Sequence, residues 1–200
     1  MIPRGIMWHS TGANNPRLSR YIGPDDGILG INLYNNHWNQ PKPDGRQVCV
    51  HAFIGQDKDG IVRTYQTLPW NHLGWHSGYG PNGSANNLGY IGIELCEDGL
   101  EDRNYFYAVY EEAINLTLHL CKKFNLTEED LIDHAEGHKL GIASNHRDVG
   151  HWLSRFGKSM DDVRRDVKKR LEATPKNIPS YLLWPILFKI IKLFKNKTPT

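Results

Sequence analysis

The stretch YIGIELC at residues 90–96 constrains the fold more than any other part of this sequence. It is a largely apolar run with β-branched isoleucines, and such a run predicts a strand that is buried on both faces. Two further runs, VCVHAFIG at 48–55 and IVRTYQTL at 61–68, are joined by the turn-forming QDKDG and predict a hairpin. With the short apolar run GIMW at 5–8, the first half of the chain is expected to build short strands connected by long polar loops.

After residue 102 the apolar positions recur every three or four residues, which predicts an amphipathic helix. These positions are Phe106, Val109, Tyr110, Ala113, Ile114, Leu118, Cys121 and Phe124. Two capping boxes indicate the starts of two more helices: Thr127 with Asp130 begins a short one, and Ser159 with Asp162 begins the last. The apolar stripe of the last helix would consist of Val163, Val167 and Leu171.

The chain divides into one main domain and a short tail. A length of 200 residues suggests a main domain, which we place at 1–172, and ATPKNIPS at 173–180 is typical of a linker. Residues 181–200 are densely apolar, with lysines spaced by three, and predict a basic amphipathic helix. At about 12–15 residues this helix is too short to cross a bilayer. It could lie on a membrane surface, dock on its own domain or contact a second copy.

Composition excludes several classes of function. A net charge of only +2 disfavours a general nucleic-acid binder. The three cysteines, Cys49, Cys96 and Cys121, are odd in number and far apart, which argues against a disulfide framework and against a paired-cysteine zinc site. The first residues lack the apolar run of a signal peptide, so we expect the chain to be made and initially held in the cytoplasm.

The segment DHAEGHKLGIASNHRDVGHW at 133–152 concentrates histidines and acids. It lies between predicted helices, and we expect it to be largely a loop. A hydrolytic zinc site needs three protein ligands and one open position for water. His134 and Asp148 of this segment, together with His9 at the end of the first strand, are candidates for such a set.

Five motifs occur along the chain in a fixed order: MWHSTG, VHAFIGQDKDGIVRTYQ, GWHSG, YIGIELCED, and DHAEGH followed by NHRDVGHW. In this order they resemble the zinc-dependent N-acetylmuramoyl-L-alanine amidases of the type 2 amidase and peptidoglycan recognition protein superfamily. The resemblance covers about residues 4–171 and looks closest to amidases of Gram-positive bacteria and their phages, including endolysins. It implies an α/β fold with a mixed central β-sheet flanked by helices and a zinc cleft on one face.

The resemblance also implies a set of ligands for one Zn²⁺ ion. The first ligand of the family matches His9 and the second matches His134. The third position is usually a cysteine or an aspartate ahead of a proline-containing turn, and it matches Asp148, although Val-Gly follows it here. His146 and His151 are the alternatives for this third ligand.

Further roles follow from the same resemblance. Glu94 matches the acid that helps to activate the zinc-bound water, and His146 lies where many relatives carry a group thought to stabilise the oxyanion. His76 and Trp75 would line the groove for the stem peptide or the sugar. We assign His51 either to substrate binding or to support of the site from the core.

The implied activity is hydrolysis of the amide between N-acetylmuramic acid and L-alanine in peptidoglycan. The enzyme would act on the bacterial cell wall after release from the cytoplasm, as a phage or prophage endolysin does. Residues 181–197 would contact a membrane or wall surface, and no nucleic-acid partner is expected. The alternative is a non-catalytic peptidoglycan-binding module of the same fold. Such relatives typically lack the third ligand, so the presence of Asp148 and Glu94 together favours the enzyme.

Overall fold

The computed structural model describes residues 1–173, except for 24, 39, 41, 43, 44 and 46. The predicted tail at 181–200 lies outside these residues, as does all but the first residue of the predicted linker at 173–180. Within the part of the chain that is described, none of the helices combines the length and the apolar composition needed to span a membrane.

A mixed sheet of five strands forms the centre of the molecule. The strands are β1 (Gly5–Ser10), β2 (Ala52–Gln56), β3 (Val62–Gln66), β4 (Tyr90–Leu95) and β5 (Leu131–Asp133). They lie side by side in the order β3-β2-β4-β1-β5. The β2–β3 pair is antiparallel, as predicted for a hairpin, and the other three pairs are parallel.

Helices flank the sheet, in agreement with the fold class that the resemblance implied. They are α1 (Ala85–Leu88), α2 (Arg103–Phe124), α3 (His134–Lys139), α4 (Gly150–Arg155) and α5 (Met160–Ala173). The long helix α2 begins where the side chain of Asp102 accepts hydrogen bonds from the backbone N–H groups of Asn104 and Tyr105. It ends at Asn125, whose positive φ of 55° stops the helix.

Strand alternation divides the sheet into two unlike faces. On one face Trp8, Ile93 and their neighbours pack against α2, α4 and α5 in the main hydrophobic core. The indole N–H of Trp8 donates to the hydroxyl of Thr117, which ties β1 to α2. Because this face is filled by apolar side chains, the polar side chains of β1 and β4 point to the opposite face.

One predicted strand boundary needs correction, and one predicted short helix is confirmed. The strand predicted over 48–55 begins only at Ala52, because the backbone of Cys49 pairs with that of Trp75 instead. The capping box predicted at Thr127 is present and starts a short 3₁₀ helix, Glu128–Asp130, after which the chain enters β5 directly.

The segment 133–152 is also less irregular than predicted. Helix α3 begins at His134, and α4 begins at Gly150. The start of α3 could have been predicted from the sequence, because Asp133 and Glu136 form a capping box. Only residues 140–149 between these two helices lack regular structure beyond turns and bends.

Candidate metal centre

The polar face of the sheet brings His9 and Glu94 side by side. His9 is the last residue but one of β1, and it pairs in register with Glu94 of β4. Side chains of directly paired residues project from the same face of a sheet, so both point away from the core around Trp8. His9 is almost fully buried, at 1% exposure, and this burial lowers its pKa, which favours the neutral imidazole.

His134 and Asp148 are brought to the same place by the irregular segment. The capping box of Asp133 places His134 at the first position of α3, immediately after the short edge strand β5. The backbone N–H of His134 donates to the carbonyl oxygen of Asp148 at 3.1 Å, which holds the end of the segment against the start of α3. The peptide bond from Asp148 to Val149 is cis.

Three ligand atoms converge at this point, one each from His9, His134 and Asp148. His9 Nδ1 lies 3.0 Å from Asp148 Oδ2 and 3.1 Å from His134 Nδ1. The third side of the triangle, from His134 Nδ1 to Asp148 Oδ2, is 3.6 Å. Tetrahedral ligands at the usual zinc distances are separated by about 3.3 Å, so the triangle has the dimensions of one face of a zinc site.

The charges of the three groups also suit a cation. Burial opposes ionisation of Asp148, but its contacts with His134 and His9 outweigh this effect and hold the pKa of the carboxyl below its ordinary value. Asp148 is therefore an anion that faces two imidazole nitrogens. If those nitrogens carry no proton, three electron pairs face one another at 3.0–3.6 Å, and this arrangement suits a cation.

Glu94 lies beside this triangle without joining it. Its Oε2 atom is buried and has no hydrogen-bond partner among the residues that the structure describes. Burial, followed by the nearby charges of Asp148 and Glu97, raises the pKa of Glu94 well above its ordinary value. A carboxyl of this kind is suited to accept a proton near neutral pH.

The two alternative ligands lie elsewhere. His146 is exposed, with Nδ1 3.0 Å from Ser144 Oγ and 3.4 Å from His134 Nε2. It therefore contacts the edge of the His134 ring that points away from the triangle. His151 pairs with a buried acid, its Nε2 lying 2.9 Å from Glu97 Oε1. The structure thus groups Asp148, and neither of these histidines, with His9 and His134.

The structure places the three residues predicted to bind substrate in different surroundings. His51 is 0% exposed, and its ring bonds the carbonyl of His72 and the N–H of Gly92, so it supports the sheet and cannot touch a substrate. His76 also directs both ring nitrogens inward, towards His9 and the Tyr90 carbonyl, and so does not present a polar edge to a groove. Trp75 is half-buried and packs edge-on against the exposed Tyr79, with ring centroids 5.2 Å apart.

Two residues near the candidate metal centre could not be identified from the sequence. Ser144 contacts His134 and His146 through its hydroxyl, and Glu97 contacts His151. Serine and glutamate are common on any surface, and these contacts depend on how the segment 140–149 folds back. The sequence pattern could therefore not identify them.

Comparison with known protein sequences gives one family. The family model described as N-acetylmuramoyl-L-alanine amidase matches residues 1–151. The N-acetylmuramoyl-L-alanine amidase CwlH of Bacillus subtilis (strain 168) is 32% identical over 96 residues, which are 48% of this chain and 35% of that protein. The match thus spans only about a third of the curated relative.

Solved structures give the same fold. The hydrolase AmiA of Staphylococcus aureus, solved in complex with its ligand, has a TM-score of 0.59 at 20% identity, over 84% of this chain and 73% of that chain. PlyL has a TM-score of 0.56 at 19% identity, over 84% of this chain and 85% of that chain. At these identities the likeness concerns the fold, and it confirms the predicted mixed sheet flanked by helices.

Proposed function

The chain belongs to the N-acetylmuramoyl-L-alanine amidase family, and from this premise we propose that it hydrolyses the amide between N-acetylmuramic acid and L-alanine in peptidoglycan. The observation that carries the proposal is the convergence of His9 Nδ1, His134 Nδ1 and Asp148 Oδ2 beside the partly buried carboxyl of Glu94. A binding module needs neither a ligand triangle nor a buried proton acceptor next to it.

We propose that His9, His134 and Asp148 hold one Zn²⁺ ion. Two imidazoles and one carboxylate are a ligand set that suits zinc, and three protein ligands leave a fourth position open for water. When bound, zinc would supply Lewis acidity, which polarises a carbonyl group and lowers the pKa of water towards about 7.

Glu94 performs the proton transfers in this proposal. Its carboxylate accepts a proton from the attacking water and later delivers it to the nitrogen of the leaving L-alanine. The raised pKa of Glu94 serves both steps, because a carboxyl of ordinary pKa would be a weak base and a poor proton store at neutral pH.

His146 stabilises the developing negative charge on the substrate oxygen. Its Nδ1 atom faces Ser144, and the exposed ring leaves Nε2 available to donate a hydrogen bond. Trp75 and the neighbouring Tyr79 offer an aromatic surface on which a sugar ring or a peptide side chain can pack.

Mass spectrometry of digested peptidoglycan tests this function. We expect new free amino termini of L-alanine without new reducing sugars, loss of this product after treatment with a chelator, and recovery with zinc. Intact peptidoglycan that still binds the protein would instead identify a binding module. New reducing sugars would identify a glycosidase and refute the proposal.

We further propose that the enzyme is lytic, in a phage or prophage, and that residues 181–197 bring it to a membrane or wall surface. The support is the likeness of its motifs to endolysins and the alternation of lysines with apolar residues in this segment. Turbidity of a suspension of Gram-positive cells after addition of the purified protein measures lysis directly, and a stable turbidity would contradict the lytic role.

A further inference from the structure

We propose that the dipeptide His76–Ser77 positions both metal-binding histidines, fixing His9 and His134 as Nδ1 ligands through two chains of hydrogen bonds that end at backbone carbonyls. The inference rests on the proposed zinc site. It assigns a function to the GWHSG motif that differs from substrate binding, and it identifies Ser144 as a positioning residue.

The first chain of hydrogen bonds runs from His9 through the side chain of His76 to β4. His76 Nε2 lies 3.1 Å from the carbonyl oxygen of Tyr90, and a carbonyl can only accept, so His76 carries its hydrogen on Nε2. In a neutral imidazole the other nitrogen then accepts. That nitrogen, Nδ1, lies 2.9 Å from His9 Nε2, so His9 donates from Nε2 and keeps the electron pair of Nδ1 for the metal.

The second chain of hydrogen bonds runs from His134 through Ser144 to the backbone of Ser77. Ser144 Oγ lies 3.2 Å from His134 Nε2 and 3.2 Å from the carbonyl oxygen of Ser77. The serine hydroxyl has one hydrogen, which it gives to this carbonyl or to His146 Nδ1, at 3.0 Å. In both cases its oxygen can accept the Nε2 hydrogen of His134, which leaves the electron pair of His134 Nδ1 for the metal.

One buried side chain holds the dipeptide in place. Asn86 Oδ1 accepts hydrogen bonds from the backbone N–H groups of both His76, at 2.9 Å, and Ser77, at 3.2 Å. Asn86 itself is 0% exposed and lies in α1. The Ser77 carbonyl also accepts from the backbone N–H of Ser144 at 2.9 Å, so the segment that supports one histidine is anchored to the segment that supports the other.

The sheet makes room for this arrangement at one glycine. A Cβ atom on Gly92 of β4 would lie 2.5 Å from Cγ of the His76 ring, which is far inside van der Waals contact. Gly92 thus lets the His76 ring lie directly on the strand and reach the Tyr90 carbonyl. The close approach is a specific feature of this site, because the ring of a surface histidine needs no such space.

Zinc affinity of the full-length protein, measured by competition with a chromophoric chelator, tests the proposal. Groups that orient metal-bound histidines typically contribute 10–100-fold to metal affinity, so we expect a loss of about this size for His76→Leu and for Ser144→Ala. The matched controls are His72→Leu and Ser154→Ala, at exposed positions, which should bind zinc like the wild type. His76→Gln should recover much of the loss, because its amide offers one acceptor and one donor.

Long-range ¹⁵N–¹H correlation spectra of the zinc-loaded protein show which nitrogen of each histidine carries hydrogen, a property that a purely structural role of His76 and Ser144 would leave unchanged. We expect His9 and His134 both to carry hydrogen on Nε2 in the wild type, and the Nε2–H signal of His134 to exchange faster with water in Ser144→Ala. Coordination of either histidine through Nε2 would overturn the proposal, as would wild-type zinc affinity in both variants. A wild-type protein that binds no zinc would refute the proposed function together with this inference, so the two failures are distinguishable.

Discussion

Replacement of Glu94 by glutamine should affect activity and stability in opposite directions, which tests the proposed catalytic role of this residue. Glutamine has the shape of glutamate but no ionisable group, and Glu94 Oε2 has no hydrogen-bond partner among the described residues that the change would break. Glu94 is also outside the triangle of ligand atoms, so zinc affinity should change little. The substitution should therefore reduce activity and, in the zinc-free protein, increase stability.

The loss of activity follows from the role of a general base. Positioned acid–base groups contribute about 10²–10⁴-fold, so kcat should fall by this factor, which corresponds to about 2.7–5.5 kcal/mol of transition-state stabilisation. A liberated-amine assay on purified peptidoglycan measures it. The control is Glu101→Gln, the same change at a side chain that is 82% exposed, which should leave turnover unchanged.

The gain in stability follows from the raised pKa of Glu94. Between the ordinary value of about 4.3 and the higher folded-state value, the folded protein binds more protons than the unfolded chain, so its stability falls as pH rises through this range. Glutamine does not ionise, so the variant keeps its stability as the pH rises through this range. An unpaired charge costs more than the about 1–3 kcal/mol of an unpaired neutral group such as the glutamine amide, and we take this difference as about 1–2 kcal/mol because part of Glu94 reaches solvent.

Thermal unfolding of the chelator-treated protein measures this gain. At pH 7.5 the melting temperature of Glu94→Gln should exceed that of the wild type by roughly 2–8 °C, and the difference should shrink at pH 4.5. Full activity of Glu94→Gln would refute the catalytic role. A melting temperature equal to that of the wild type at both pH values would refute the assignment of a buried, unpaired carboxyl.

Three further results are expected. His134→Ala should lose zinc and activity together, seen by metal analysis and by amine release, and an active metal-free variant would contradict the ligand assignment. Gly92→Ala should displace His76 and weaken zinc binding, whereas Gly99→Ala, where a Cβ atom meets nothing within 4 Å, should not; equal affinities would count against the close approach. Deletion of residues 175–200 should leave hydrolysis of purified walls unchanged but reduce killing of intact cells, and equal killing would rule out a role of the tail in access.

The sequence allowed prediction of those parts of the fold and site that depend on local patterns. The apolar run of β4 and the periodicity of α2 each predicted an element that the structure contains. The structure also groups His9, His134 and Asp148, the set selected first from the motifs. These features were accessible because each depends on a short stretch of residues.

Features that depend on contacts between distant segments were not accessible. The burial of His51 follows from the approach of the His72 carbonyl and the Gly92 N–H, which come from two other parts of the chain. The pairing of His151 with Glu97 likewise joins α4 to the end of β4. Ten histidines gave too many candidates, and only three-dimensional contacts distinguish a ligand from a support.

The central position of β1 determines when the site can form during synthesis. Both neighbours of β1 lie far along the chain, since β4 begins at Tyr90 and β5 at Leu131. At about 5–20 residues per second, roughly 6–25 s separate the emergence of β1 from that of β5. A nascent chain that stops before Leu131 leaves one edge of an apolar strand unpaired, and such an edge promotes aggregation. Chaperone binding should therefore concentrate on the apolar run at 5–8 until translation has passed β5, and the proposed metal site is complete only when Asp148 has also emerged.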